Sequence, residues 1–350
     1  MKILHFLWGL PNGGAENLAV DLANEQSCDN EVILFVANKR VDDSVRSRIS
    51  PAVQFVGLGR PENSRNPYWV ARLLFSLHAI RPDIIHSHAD SLASLARFIA
   101  APLILTVHTT DVVLAIATEF SVVCCISESV LLDVMQRYPL LNLHLVNNGV
   151  TTSKIATRVR SPSDLVRGVQ VSRLVHETKG QDLLIRSLAK VNTGRNQSKL
   201  TVDFIGDGPS LDYLIAVAAE AGVSEFCNFL GAISRSDIYK NLCNYDILIQ
   251  PSRIEGFGLT VAEGMAAGVA VVVSDVEGPM EIIRSGEFGH FFKTGDVDSL
   301  AATLQNVISS MHSPEESALL LAARNHVAVN YDLSRTSDHY CSIYREVIDA

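Results

Sequence analysis

At 350 residues, with 47% hydrophobic and 19% charged side chains, the chain can bury large cores and is long for one ordinary domain, which excludes a disordered polypeptide. Its net charge of −9 is shared by both halves, 11 basic against 14 acidic side chains up to Val150 and 18 against 24 beyond, so a nucleic-acid partner is disfavoured. No apolar run approaches the roughly 20 residues that span a membrane. The six cysteines include no Cys-x-x-Cys pair, a usage that suits unpaired, buried thiols in a reducing compartment.

MKILHFLWGL, at the amino terminus, is too short for the apolar segment of a signal peptide and reads as a first strand, so a cytoplasmic protein is expected. KILHFLW, EVILFVA, VQFVG, DIIHSH, LILTVH, SVVCCIS and LHLVNNG then follow as short β-branched runs. Helical patterns lie between them, and in PYWVARLLFSLHAI the residues Trp69, Leu73, Leu77 and Ile80 keep helical spacing. Polar residues and Pro162 interrupt the pattern between Val150 and Arg167, which marks a join. A second series runs through VRGVQVSRL, LTVDFIG, FCNFLG, DILIQP, VAVVVSD and FGHFFK, and the closing YDLSRTSDHYCSIYREVIDA is helical through Tyr340, Tyr344 and Val347. Continuous apolar strands separated by helices predict parallel sheets covered on both faces, hence two doubly wound α/β domains. Ligands of such sheets sit beyond the carboxyl ends of the strands, and those residues are the ones to weigh.

Gly13 and Gly14 follow the first strand and open a helix, where bare backbone and free N–H groups suit an anion, although a tight turn explains them as well. The pattern is not Gly-x-Gly-x-x-Gly, which weakens a dinucleotide reading. His86 and His88 share one face of a strand end, but no third metal ligand of suitable spacing accompanies them, so a structural or pocket-lining role is expected. His108 ends the next strand. Arg173 ends the first strand of the second domain and Lys179 opens the next helical segment, two cations that suit a diphosphate or a solvated basic loop equally. Pro209 reads as the first residue of a helix. In EGFGLTVAE, Glu255 falls in a loop after a buried strand and Glu263 about one turn inside an apolar helix, where an unpaired acid would be costly. Carboxylates accept paired hydrogen bonds from neighbouring hydroxyls, the geometry of a ribose or sugar ring, and Gly256 and Gly258 would let amides approach the group between them.

Taken in order, GGAE (13–16), IIHSH (84–88), TVHTTD (106–111), CISES (125–129), NNGV (147–150), VSRLVHETKGQDLLI (171–185), IGDGP (205–209) and PSRIEGFGLTVAEGMAAGVAVVVSD (251–275) cover the whole chain. With these motifs the chain resembles the retaining glycosyltransferases of family 4, of GT-B fold, in which two Rossmann-like parallel-sheet domains face across a cleft. The resemblance implies an acceptor-side domain at 1–150, a nucleotide-sugar domain at 151–332, and a closing helix at 333–350 that crosses back to the first. It implies that Glu263 holds the donor ribose, that Glu255 meets hydroxyls of the transferred sugar, and that amides from Gly256 and Phe257 through Gly258 and Leu259 lie along the sugar and distal phosphate. Arg173 and Lys179 would neutralise the diphosphate, Gly13 and Gly14 would face it from the other domain, and His108 would contact the sugar near its anomeric carbon. The donor's base would be read near Gly231 and Ile233. Arg173 and Lys179 stand six apart where many relatives have five, Gly264 stands where alanine is common, and Ala270 replaces a frequent proline.

The expected reaction is transfer of a sugar from a nucleoside-diphosphate sugar of UDP or GDP type to a hydroxyl, with retention. No cofactor is expected, and no metal, since two cations can hold the diphosphate and no Asp-x-Asp motif stands ready for one. The expected acceptor is a lipid-linked or growing bacterial surface glycan at the cytoplasmic face of the membrane. Arg65, Tyr68, Trp69 and Arg72 suit a helix lying on that membrane, but its apolar positions suit a core too, and the core reading is preferred. The rivals are a nucleotide-sugar epimerase or phosphorylase of the same fold and an inactive sugar-nucleotide-binding protein. A dehydrogenase is weaker still.

Overall fold

The computed structural model describes residues 1–114, 117–158, 165–193 and 199–350, with the side chains of residues 96, 97 and 117 not included. Pro162 therefore lies outside the described residues. Two compact units emerge, the first made of Met1–Gly149 and Leu333–Ala350 and the second of Val150–Asp332.

In unit 1 the strands are β1 (Lys2–Leu7), β2 (Glu31–Asn38), β3 (Val53–Arg60), β4 (Ile84–Ser87), β5 (Leu103–Val107), β6 (Val122–Cys125) and β7 (Leu143–Leu145). They form one sheet in the order β3-β2-β1-β4-β5-β6-β7, and every pairing is parallel. The order reverses at β1 and β4, with β2 and β3 laid to one side and β5 to β7 to the other. Strands β4, β5 and β6 are buried at every position, as strands covered on both faces must be, which is why they read as unbroken apolar runs. Unit 2 repeats the plan with β8 (Leu165–Val171), β9 (Lys199–Ile205), β10 (Cys227–Gly231), β11 (Ile247–Gln250), β12 (Ala270–Ser274) and β13 (His290–Phe292), in the order β10-β9-β8-β11-β12-β13. Its pairings are parallel too, and its order reverses between β8 and β11. Each apolar run of the sequence thus becomes a strand of one of two doubly wound sheets.

Local chemistry sets the helix ends. Asn66 caps helix Pro67–Ile80 by accepting from the Tyr68 amide, with Pro67 at the first position. Ser127 likewise caps Glu128–Arg137, and Ser313 caps Pro314–Asn330. Leu211, not Pro209, is the first residue of its helix; Pro209 occupies the turn before it. Lys179 closes a short helix, His176–Lys179, and the longer Gln181–Thr193 starts after a left-handed Gly180.

The closing helix, Leu333–Asp349, buries Leu333, Thr336, Ser337, Tyr340, Cys341, Ile343 and Tyr344 at helical spacing. Tyr340, Cys341, Ile343 and Tyr344 join the core of unit 1 with Ile3, Leu34, Ile84 and Ile104. Its entry depends on the glycine of NNGV. A Cβ on Gly149 would stand 2.6 Å from Leu333 Cα and from Thr336 Oγ1, while Thr336 Oγ1 donates to the Asn147 carbonyl at 2.9 Å. All six cysteines are unpaired; Cys124, Cys125, Cys227 and Cys341 are buried, whereas Cys28 is exposed and Cys243 half-buried, so burial holds for four of them.

Candidate functional site

In unit 2 the residues singled out from the sequence gather at the carboxyl ends of β8 and β11. Gly180 fixes this geometry. Its backbone is left-handed (φ 65°), and a Cβ there would collide with the Pro251 carbonyl, so the loop after β8 lies directly on the loop after β11. Lys179 Nζ then donates to Glu255 Oε2 at 2.8 Å, and Gln250 Nε2, from the end of β11, donates to the same oxygen at 2.6 Å. Gln250 is itself oriented by Thr260, whose hydroxyl donates to Gln250 Oε1 at 2.7 Å. Arg173 is exposed, and among the described residues it pairs with no carboxylate.

Gly258 precedes helix Leu259–Ala267 with left-handed backbone (φ 104°), and Glu263 follows one turn inside. Glu263 is 5% exposed, so it is no surface acid. Arg235 Nη2 donates to Glu263 Oε1 at 2.8 Å and the Tyr239 hydroxyl donates to the same atom at 3.1 Å, with the Arg235 guanidinium 5.1 Å from the Tyr239 ring centre. Both glutamates are therefore held through one oxygen. Among the described residues, Glu255 Oε1 and Glu263 Oε2 carry no hydrogen bond. The Phe257 ring is buried and packs edge-on against Tyr331, centroids 5.7 Å apart, so only its backbone is left to the loop. Gly231 ends β10 with its carbonyl accepting the Gly206 amide at 2.8 Å, and Ile233 is half-buried two residues on.

In unit 1, Gly13 caps helix Gly14–Gln26 in extended backbone (φ −135°), so no turn demands a glycine there. The Glu16 carboxylate fills the space where a Gly13 Cβ would stand, and burial raises its pKa above the usual carboxylate value. Gly14 faces open space. His108 lies just past β5, half-buried, with Nε2 3.2 Å from His88 Nδ1. His88 Nε2 in turn lies 3.3 Å from Nδ1 of His5, in the middle of β1, and His5 Nε2 lies 2.8 Å from Gln26 Oε1. His86 sits beside this line, with Nδ1 2.5 Å from the Tyr344 hydroxyl and Nε2 2.7 Å from Thr106 Oγ1. The sequence shows no third imidazole near His86 and His88. The fold brings one, His5, so that ring nitrogens of the three converge within 4.8 Å. Both nitrogens of His5 and both of His86 already have partners, and an ion there would have to break those contacts. Burial lowers the pKa of His5 and of His108 to about 4, and holds His86 and His88 well below the ordinary histidine value, with the neighbouring imidazoles adding to the effect.

A family model described as "Glycosyl transferases group 1" matches residues 154–319, and one described as "Glycosyltransferase Family 4" matches residues 12–154. The chain belongs to the group 1 glycosyltransferases. A glycogen synthase of Mycobacterium tuberculosis is 25% identical over 292 residues, covering 75% of this chain and 69% of that one. A lipopolysaccharide core biosynthesis mannosyltransferase, LpcC, of Rhizobium leguminosarum bv. viciae is 30% identical over 185 residues, 50% of this chain and 49% of the relative. Among solved structures, Anabaena Alr3699/HepE in complex with UDP and glucose superposes with a TM-score of 0.81 at 22% identity, over 99% of this chain and 100% of that one. The fold is that of the GT-B glycosyltransferases.

Within this glycosyltransferase, sequence reasoning missed Arg235, Tyr239, Gln250 and Thr260. The first two stand four apart on one face of helix Arg235–Asn241, and the cost of burying Glu263 was a signal that such partners had to exist. Gln250 was legible as the polar end of an otherwise apolar strand, ILIQ.

Two outcomes follow from these environments. Arg235→Leu leaves the Glu263 carboxylate buried without its cation and should destabilise unit 2 by about 3–5 kcal/mol in denaturant unfolding, with Glu263→Gln in the same chain recovering part of the loss. The imidazoles act through pH. Their folded pKa values lie below the unfolded value near 6.5, so their contribution is fully present above about pH 6.5 and is lost as pH falls toward 4. His5 alone should cost about 1.4 kcal/mol per pH unit in that window. Trp8 and Trp69, the chain's two tryptophans, both lie in unit 1, so their fluorescence reads its unfolding; a flat stability profile from pH 7 to 4 would contradict the assignment.

Proposed function

We propose that the protein transfers a sugar from a nucleoside-diphosphate sugar, of UDP or GDP type, to a hydroxyl of a lipid-linked or growing surface glycan, with retention at the anomeric carbon and without a metal. One observation carries this reading. Glu255 lies in the loop after β11 and Glu263 one turn into the helix that the loop opens, and each is locked through one carboxylate oxygen while the other is unengaged. Two fixed acceptors, one in the loop and one in the helix after it, suit a ligand with hydroxyls at both ends, a ribose at Glu263 and the transferred sugar at Glu255. Amides of Gly256 to Leu259 would lie between them. Charge develops on the departing phosphate as the sugar becomes oxocarbenium-like. Arg173, unpaired with any described carboxylate, and Lys179 would meet it, an electrostatic effect of about 3–4 kcal/mol for a well-placed donor. The leaving phosphate takes the proton of the acceptor hydroxyl as the new bond forms. Gly13, Gly14 and His108 complete the proposed donor contacts, Gly231 and Ile233 the contacts to the base.

Screening UDP-, GDP- and ADP-sugars for binding and then transfer tests this directly. Glu263→Ala should weaken donor binding roughly tenfold to hundredfold, the cost of about 1–3 kcal/mol of lost hydrogen bonding, whereas Glu255→Ala should act mainly on kcat. Unchanged donor affinity in the first variant, or full turnover in the second, removes the assigned role. A new sugar isomer formed from donor alone would favour epimerisation instead.

The acceptor side carries a membrane proposal. Helix Pro67–Ile80 buries only Leu73 and Leu77, leaving Tyr68, Val70 and Phe75 exposed at 55%, 42% and 73%, with Arg65 and Arg72 nearby. Exposed apolar and basic side chains on one helix suit an anionic bilayer surface. Leu73 and Leu77 do serve the core, with Trp69 and Ile80 half-buried, so the membrane proposal rests on the exposed Tyr68, Val70 and Phe75 and not on that apolar face. The protein should sediment with anionic vesicles, less so with Phe75→Ser and Arg72→Glu; absence of binding by the unaltered chain would remove the membrane contact and leave transfer untouched.

A further inference from the structure

The imidazoles of unit 1 are arranged as a line rather than a cluster. It starts in the core at Gln26, passes through His5 and His88, and ends at His108 beyond β5. Each link joins a nitrogen of one ring to the opposite nitrogen of the next, so Nε2 and Nδ1 alternate along it. A neutral imidazole has one N–H and one lone pair. Once one end of such a line is fixed, every tautomer along it is fixed as well.

Gln26 supplies the fixed end. Its Oε1 faces His5 Nε2 and cannot donate, so His5 carries its proton on Nε2 and accepts at Nδ1. His88 then donates from Nε2 to His5 and accepts at Nδ1. His108 must donate from Nε2 to His88, which leaves His108 Nδ1 as a bare acceptor. The other half of the same amide is consistent with this polarity. Gln26 Nε2 donates to the Tyr344 hydroxyl at 3.4 Å, which frees that hydroxyl to donate to His86 Nδ1. His86 Nε2 then donates to Thr106 Oγ1, which sits 2.9 Å from the Tyr340 hydroxyl. One carboxamide orients both branches. The rings stay close to parallel as they pass outward, His5 to His88 at 5.6 Å and His88 to His108 at 5.4 Å between centroids, with interplanar angles of 22° and 25°.

We propose that His88 is a positioning residue that fixes His108 as its Nε2-protonated tautomer, so that Nδ1 presents a lone pair to a sugar hydroxyl. This rests on the reading that His108 contacts the transferred sugar. Burial supports it, since it lowers the pKa of His5 and His108 to about 4 and that of His88 well below the ordinary histidine value, so each ring is neutral at pH 7 and holds a single ring proton. A ring free to exchange tautomers would offer the hydroxyl an N–H in part of the population, and a wrong tautomer at an oriented imidazole is costly in turnover.

Ring-nitrogen chemical shifts of isotopically labelled histidine, recorded on the whole protein without donor, test the tautomer directly. The unaltered protein should show His108 protonated at Nε2 and bare at Nδ1. His88→Leu removes the acceptor and should leave His108 as a tautomer mixture. His88→Asn places Oδ1 where Nδ1 stood and should restore the single form. With donor and acceptor present, His88→Leu should lower kcat at least about tenfold with donor KM held within about twofold, and His88→Asn should recover most of it. A proton on His108 Nδ1 in the unaltered protein overturns the proposal, whether or not either variant folds. So does a His88→Leu spectrum that keeps the original tautomer. If the expected tautomer is seen and no sugar nucleotide binds, the relay stands and the transfer reading falls.

Discussion

The hydrogen bond between the Tyr344 hydroxyl and His86 Nδ1, 2.5 Å long and fully buried, is the contact on which unit 1 depends. A parallel sheet covered on both faces has no water to offer a polar side chain, and an unpaired polar group there costs more than a made hydrogen bond returns. Unit 1 nevertheless buries His5, His86, Gln26 and Thr106 together. Their partners come partly from residues more than two hundred positions away, since Tyr344 serves His86 and Gln26 while Tyr340 serves Thr106. The closing helix is thus a structural member of this unit, and the glycine in NNGV, which admits its first turn, belongs to the same device. Removing the helix would expose apolar surface and take a partner from three buried side chains, His86, Gln26 and Thr106, at once.

Unit 2 solves the same problem with charge. Glu263 inside an apolar helix is tolerable because Arg235 and Tyr239 meet it, and Asp246 is held likewise by Arg158 and by the Arg167 amide at 2.8 Å. Arg253 makes a paired contact to Asp182, 2.8 Å at each oxygen, and also donates to the His176 carbonyl, which ties the loop after β11 to the segment carrying Lys179. Such pairs add little net stability over apolar replacements of the same shape. What they add is position, because a bidentate guanidinium leaves a carboxylate no second orientation.

The strands were legible because parallel strands buried on both faces carry an unmistakable run of apolar residues, and their carboxyl ends followed from the fold class. Glu255, Glu263 and Lys179 were legible for a related reason, being charges at the edge of apolar segments. What the sequence hid was pairing between distant segments. In KILHFLW a lone histidine looks like a packed core residue, and nothing local says that it meets Gln26 or His88. Gln26 reads as the polar end of a helix, although it is 2% exposed. Arg235 looks like one more solvated cation, because the acid that holds it lies 28 positions further along. Phe257 is expected to offer its amide alone, and nothing local says that its ring packs on Tyr331.

In both units, then, the groups aimed outward at the strand ends take their orientation from a polar partner set deeper in the same unit. His108 is held through His88 by His5 and Gln26, and Glu255 through Gln250 by Thr260. Loops are the mobile part of an α/β fold, and a chemical group on a loop is only as well placed as whatever restrains it. Fastening each group to a side chain anchored in the sheet transfers the rigidity of the core to the loop without burying the group itself. Buried polar side chains accordingly lie beneath these loops, His5, Gln26 and His86 in unit 1 and Gln250 in unit 2. The hydrogen bonds that offset the cost of burying them are the same ones that orient a neighbour toward solvent or a ligand.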